Sequence, residues 1–321
     1  MEPNDTPKTL LEAVKYFADP AVCFKAMIGA KWPDGKIACP KCNGEAIGVI
    51  TSRSMLQCKA KDCRKQFSCK VGTIFEDSPL GLDKWFVAVW CIANAKNGIS
   101  SCELARSLGV TQKTAWFMLH RIRLAMKTKS FRKFSGEVET DETFVGGKAD
   151  NMHKHKREKK IVGRGAVGKA IVHGLLERGD VSQVQANVIG STDASVLLPA
   201  VRQSVAAGAE VYSDGARGYG DLCLTHRHAT VDHIETYVSG RVHTNGIENF
   251  WALLKRGLKG TYFAVAPYHL ARYVDEQVYR FNKRKKNDYG RFVECLANVL
   301  GRRLTWRNLT AQGDSGFMGI K

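Results

Sequence analysis

The chain has 321 residues, 44% of them apolar and 25% charged, which is ample for one or two packed cores and excludes a disordered or collagen-like chain. Lys and Arg number 49 against 31 Asp and Glu, a formal net charge of +18, so a polyanion is the expected partner, nucleic acid ahead of an anionic membrane surface. The apolar runs from Trp85 to Ala95 and from Ala186 to Leu198 fall short of the roughly 20 residues of a membrane helix, nothing between Met1 and Pro20 has a signal-like apolar core, and ten cysteines in a reducing compartment point to metal ligation rather than disulfides.

Residues 1–36 read as a helical segment, with Leu11, Val14, Phe17 and Phe24 spaced for a broken pair of short helices between Leu10 and Ala30. Residues 37–72 carry Cys39-Pro-Lys-Cys42-Asn-Gly44, then Cys58 and, after a gap of four residues, Cys63. Two tight turns that each present two thiolates to one tetrahedral ion make a zinc ribbon, and Pro40 and Gly44 let the chain double back around the metal. Cys39, Cys42, Cys58 and Cys63 are the expected ligands of one structural Zn²⁺, with Cys69 the substitute if Cys63 points away. Lys59, Lys61, Arg64, Lys65 and Lys70 surround the second pair, a composition that suits contact with DNA and equally suits a solvated basic surface.

Residues 80–130 are helical in pattern, with Trp85, Phe86, Val89 and Trp90 on one face. From Ile99 to Thr111 the chain reads as a short helix, a turn at Gly109 and an N-cap for a second helix, the order of a helix-turn-helix. Leu104, Leu108, Val110, Ala115 and Leu119 then form its small core. Gln112, Lys113 and Trp116 project toward a major groove, and Arg121 and Arg123 contact phosphate. A three-helix bundle that binds nothing has the same pattern.

Residues 136–290 change period. Glu137 to Val145 alternates as a strand that carries Glu139 and Asp141 on one face, where an unpaired buried carboxylate is costly unless a metal neutralises it. An exposed acidic strand is the other reading. Residues 149–164 read as a basic, His-rich hairpin tip or loop that could order on DNA and equally suits a solvated loop. Lys169 to Leu176 and Val181 to Ile189 pair as a hairpin through Arg178-Gly179-Asp180, and a helix from Ala194 to Ala207 follows. Three antiparallel strands and then a helix is the order of an RNase-H-like sheet. The next strand, from Ala209 to Gly215, brings Asp214 to its carboxyl end, where active sites of α/β sheets gather. From His243 to Gly260 one helix places Phe250, Leu253, Leu254 and Leu258 on one side and Asn245, Glu248, Lys255 and Lys259 within about 60° of one another on the other. Glu248 is so placed to complete a metal site with Asp141 and Asp214, and Lys255 to hold a phosphate, although a solvated face looks the same. His226, His228 and His233 are spaced too loosely to indicate another metal. The basic run from Arg280 to Lys286, interleaved with Tyr279 and Phe281, suits DNA backbone contact or a solvated helix end. Residues 291–321 read as one helix and a Gly-rich tail.

Cys39-Pro-Lys-Cys42, Val71-Gly-Thr-Ile-Phe-Glu-Asp-Ser78, Val138-Glu-Thr-Asp-Glu-Thr-Phe-Val-Gly-Gly147, Tyr212-Ser-Asp214-Gly, and His243-Thr-Asn-Gly-Ile-Glu-Asn-Phe-Trp251 through Lys255 to Gly260-Thr-Tyr262 resemble the IS1595 family of insertion-sequence transposases, of the ISXO2-like kind. The resemblance covers roughly residues 20 to 285, with the motifs in the same order. It implies a multidomain α+β protein in which a zinc ribbon and a helix-turn-helix precede an RNase-H-like mixed-sheet DDE domain. It further implies a transposase that binds the terminal inverted repeats of its own element, hydrolyses the ends and joins their 3′-hydroxyls to target DNA. By the motif match Asp141, Asp214 and Glu248 are the catalytic acids, holding two Mg²⁺ ions roughly 4 Å apart, and Lys255 follows them. Asn245, one turn from Glu248, is the alternative third ligand, and Lys259 is a DNA contact. Double-stranded DNA as partner, at least a dimer when two ends are synapsed, no membrane, and a nucleoid-associated place in a prokaryotic cytoplasm complete the expectation. The second cysteine pair is wider than the family's common form, and Phe263 stands where a His is common. The alternatives are a zinc and helix-turn-helix regulator with a dead catalytic domain, and an RNase-H-like nuclease without strand transfer.

Overall fold

A computed structural model describes residues 6–128, 132–146, 168–214, 217–231, 241–263 and 265–311. The chain divides into two compact units: the described residues up to Lys127 together with those from Lys286 onward, and the segment from Thr128 to Lys285.

The first unit starts with α1 (Leu10–Phe17), capped by Thr9, and α2 (Pro20–Lys31), capped by Asp19 with Pro20 at its first position, where a missing N–H does no harm. A small antiparallel sheet follows, β1 (Ile47–Ile50), β2 (Met55–Cys58) and β3 (Gln66–Ser68), in that spatial order. Leu56, Phe67, Cys39 and Cys58 form its core, with Phe24, Ile28 and Trp32 of the α2 region packed against them. Next come α3 (Leu82–Asn94), α4 (Ser101–Leu108) and α5 (Gln112–Met126). Ser100 caps α4, Gly109 ends it at φ +61°, and Thr111 caps α5 through the Thr114 N–H at 3.2 Å.

The described carboxyl-terminal residues form two helices where one was expected, and the Gly-rich tail from 312 onward lies outside the described residues. The helices are α9 (Asp288–Ala297) and α10 (Trp306–Thr310), and both belong to the first unit. Phe292 of α9 sits 4.9 Å from Phe17 and 5.5 Å from Phe86, ring centroid to centroid. Backbone bonds from Ile74 N–H to Val299 O (3.1 Å) and from Gly301 N–H to Gly72 O (2.9 Å) fasten the same segment. Burial of a large aromatic, Phe292, decides where this segment goes.

The second unit is a five-stranded mixed sheet. β4 (Glu137–Val145), β5 (Ala170–Glu177) and β6 (Gln183–Ile189) form an antiparallel meander, and β7 (Glu210–Asp214) and β8 (Arg227–Val231) extend it in parallel, giving the order β6-β5-β4-β7-β8. β8 was not anticipated: His226 and His228, read as loosely spaced histidines, border and occupy a strand, and His228 Nε2 lies 2.8 Å from Ser213 Oγ. Leu197, Leu198 and Val201 of α6 (Ala194–Ser204), with Tyr219 and Leu222 of a 3₁₀ segment (Arg217–Leu224), pack with Val138 and Leu175 on one face. The helices α7 (Asn245–Gly257) and α8 (Leu270–Asn282) pack with Val172, Leu176 and Val184 on the other. The interleaved run divides: Tyr279, Arg280 and Phe281 are buried, with Arg280 paired to the fully buried Glu276, while Arg284, Lys285 and Lys286 are exposed. The basic 149–164 stretch, Gly147, Gly215 and His233 lie outside the described residues. Among the described residues no helix is long and apolar enough to cross a membrane.

Candidate active site and metal centres

Parallel pairing aligns Glu139 with Tyr212 and Thr140 with Ser213, so Asp141 and Asp214 stand side by side at the carboxyl ends of β4 and β7. They line a cavity of about 500 Å³ with Glu142, Thr192, Asp193 and Gly218. Burial, with the adjacent charges of Asp214 and Glu248 adding to it, pushes the Asp141 carboxyl up to about 6. Such a group is poised to gain from a cation.

Helix α7 reaches this site through a residue that the sequence pattern did not single out. Trp251 Nε1–H donates to Asp141 Oδ2 at 2.9 Å, and its ring lies over β5 where Gly174 is the register partner of Asp141. A Cβ at position 174 would fall 2.6 Å from two ring carbons, so only glycine leaves room. Glu248 is one helical turn before Trp251 on the same side; it is exposed and accepts from the Thr244 hydroxyl at 3.0 Å. Its three-residue spacing from Glu248 was the signal that could have found Trp251.

Asn245 opens α7 and is exposed; Lys255, two turns past Glu248, is half-buried. Lys259 is exposed and lies in a π-helical turn, Leu258–Tyr262, that continues α7.

Glu142 was also overlooked. Burial pushes its carboxyl up to about 7, and the Tyr219 hydroxyl donates to it. That hydroxyl lies 3.0 Å from Thr140 Oγ1, which lies 3.0 Å from Nε2 of His173. Since Tyr219 spends its one proton on Glu142, Thr140 donates to Tyr219 and accepts from His173. Burial lowers His173 to about 4, consistent with a neutral ring.

The four cysteines form a tight set. Cys39, Cys42, Cys58 and Cys63 have sulfurs within 4.8 Å of one another, with Cys39 to Cys63 at 3.7 Å and Cys42 to Cys58 at 3.6 Å. A tetrahedron with metal–sulfur bonds of about 2.3 Å has edges of about 3.8 Å, so the set fits one Zn²⁺. Cys69 is buried and outside it, which removes it as the substitute fourth ligand. Among the described residues no carboxylate set closes this tightly; Asp141, Asp214 and Glu248 are farther apart.

Two of the expected DNA contacts are corrected. Arg121 and Arg123 are buried, 4% and 1% exposed, not at the surface. Arg121 donates to the Glu76 carbonyl and stacks on Trp85 and Phe117, 5.3 Å to each centroid, so its charge serves the interior of the first unit. Gln112 and Lys113 are exposed, but Gln112 donates to Ser101 Oγ at 2.8 Å and Lys113 Nζ lies 4.6 Å over the ring of Trp306 in α10. Trp116 is half-buried, 5.8 Å from that same ring, so the start of α5 is partly covered rather than projecting freely.

Comparison with known proteins places these features in context. An ISXO2-like transposase domain matches residues 133–282, and a transposase zinc-ribbon domain matches residues 19–66. A Halobacterium salinarum protein described as an "uncharacterized protein in transposable element ISH50" is 29% identical over 257 residues, 76% of this chain and 85% of that one. A Haemophilus influenzae "uncharacterized transposase-like protein" is 30% identical over 96 residues, 30% of this chain and 77% of that one.

Proposed function

The chain belongs to the ISXO2-like transposases of the IS1595 family, and from that premise we propose that it binds the terminal inverted repeats of its element, hydrolyses the DNA at their ends and joins the freed 3′-hydroxyls to target DNA. The observation that carries this reading is the pairing of Asp141 with Asp214 at neighbouring strand ends, with α7 tied onto Asp141 by Trp251 one turn from Glu248. The order of the five strands, an antiparallel meander extended by two parallel strands, supports an RNase-H-like domain.

In this proposal Asp141, Asp214 and Glu248 hold Mg²⁺, with Asn245 the other candidate for the third position. Bound there, Mg²⁺ supplies charge stabilisation at a phosphodiester and lowers the pKa of an attacking water or hydroxyl. Trp251 orients the Asp141 carboxylate, and Lys255 and Lys259 attract the DNA backbone. The helices α4 and α5 act as a helix-turn-helix, with Gln112 and Lys113 as its DNA contacts and Trp116 shared with α10. The zinc ribbon carries basic residues beside the second cysteine pair, and the net charge of +18 suits a DNA partner. Two ends brought together require at least two copies of the chain.

The test is a strand-transfer assay with the full chain, Mg²⁺ and a labelled duplex bearing the element's ends, run with wild type, Asp214→Ala, Glu248→Ala and Asn245→Ala. Joined product from wild type, with loss of about a thousandfold or more in Asp214→Ala, is the expected outcome, since a site stripped of its metal forfeits several kcal/mol. An equal loss in Glu248→Ala and a smaller one in Asn245→Ala assigns the third acid to Glu248. Cleavage without joining would make the protein a nuclease, and full activity in Asp214→Ala would end the proposal.

A further inference from the structure

The three acids are carried by β4, β7 and α7, and a single side chain contacts β4 and β7 two residues before their acids and also the segment that leads into α7. Arg178, at the end of β5, donates from Nε to Glu139 Oε1 at 2.7 Å. Glu139 stands two residues before Asp141 on the same face of β4. The guanidinium also lies over the ring of Tyr212, 4.7 Å to the centroid, and Tyr212 stands two residues before Asp214 on the same face of β7. Its Nη2 donates to the His243 carbonyl at 2.6 Å and to His243 Nδ1 at 2.7 Å, and its Nη1 donates to the Arg241 carbonyl at 2.6 Å, which holds the chain that leads into α7.

Glu139 completes the connection. It is 1% exposed, and its Oε2 accepts the N–H of Ile247, the residue next to Glu248, at 2.8 Å. A Cβ on Gly246 would meet that same oxygen at 2.8 Å, so the helix docks this closely only with glycine there. The acid that the strand pattern placed beside Asp141 is thus committed to an arginine and to a helix terminus, where its charge suits the dipole.

We propose that Arg178 and Glu139 form a positioning clamp that sets the spacing of Asp141, Asp214 and Glu248, and through it the affinity of the site for a divalent cation, without touching the cation or DNA. This rests on the reading of the three acids as a metal site. Lysine is a poor replacement, because the clamp uses the flat face and the forked donors of a guanidinium at once.

Mn²⁺ binding to the full-length, zinc-loaded protein, followed by isothermal titration calorimetry, tests the clamp, with circular dichroism to establish that each variant is folded. Arg178→Lys keeps a cation beside Glu139 but loses the fork, and its Mn²⁺ affinity is expected to fall about 10- to 100-fold, as for other groups that orient metal ligands. A role confined to holding the fold predicts less folded protein with unchanged affinity in what remains. Folded Arg178→Lys with wild-type affinity therefore overturns the clamp. If Arg178→Lys does not fold, Glu139→Gln, which retains the acceptor for Ile247 and loses the charge, is judged by the same criterion. Asp214→Ala separates this proposal from its premise: it is expected to abolish Mn²⁺ binding, and wild-type binding in that variant would remove the metal site itself, whatever Arg178→Lys does.

Discussion

The cysteine cluster and the acidic site are assembled on opposite plans. Four thiols between Cys39 and Cys63 come from neighbouring turns and strands, and their sulfurs already approach the edges of one tetrahedron. Asp141, Asp214 and Glu248 are drawn from two strands and a helix spread over much of the second unit, and their oxygens are farther apart. A site made by turns carries its geometry within its own segment. One made by sheet register and a docked helix depends on other groups for alignment, here Trp251, Gly174, Gly246, Glu139 and Arg178.

The largest expected effect is on the self-contained site. Cys58 is fully buried beside Leu56 and Phe67, and Cys58→Ser is expected to release the metal and melt the ribbon, since structural zinc contributes about 10–16 kcal/mol to small domains that depend on it. Zinc content by mass spectrometry and thermal unfolding should show loss of the ribbon's transition with that of the second unit retained. One full equivalent of zinc in the variant would break the contrast between the two sites.

A second, smaller effect sharpens the contrast from the acidic side. The Asp141 carboxyl is raised from its ordinary 3.8 to about 6, chiefly by burial, so the folded protein retains a proton over a range where the unfolded chain has released it. Its ionisation opposes folding: the penalty is absent at low pH, grows between about pH 4 and 6, and is complete above that. In Mg²⁺-free buffer Asp141→Asn is therefore expected to add up to about 3 kcal/mol of stability at pH 8 and nothing at pH 3.5. Urea unfolding at the two pH values checks this, and an equal difference at both would contradict it.

The smallest effect concerns the supports. Gly174→Ala drives a methyl into the Trp251 ring and should cost about 1–3 kcal/mol, as overpacking does. Trp251→Leu should relieve that strain, so a double-mutant cycle in urea is expected to be strongly non-additive. Simple additivity would mean that Trp251 can leave β5 at no cost, and that α7 is held to Asp141 by something else.

Legibility follows the same division. The cysteine spacing announced the cluster, the Gly109 and Thr111 pair marked the break between α4 and α5, and the acidic strand ends announced Asp141 and Asp214, because turns, caps and strand alternation are local. Arg121 and Arg123 looked like phosphate contacts, since a cation on a helix shows its charge in the sequence but not the carbonyl of Glu76 or the ring of Trp85 that receives it. Arg178 read as part of a hairpin turn, and nothing near it in sequence announces Glu139, Tyr212 or His243.

By itself the sequence determined which cysteines gather into one set and that Asp141 and Asp214 stand at strand ends and Glu248 on a helix, all of which depend on residue identity and on contacts within a turn or two. Only the tertiary structure decided that Glu139 docks a helix, that Gly174 admits Trp251, and that Phe292 returns the carboxyl-terminal helix to the first core. Those outcomes depend on burial and close approach between segments far apart in the chain, where free space and desolvation, rather than spacing along the chain, select which groups meet.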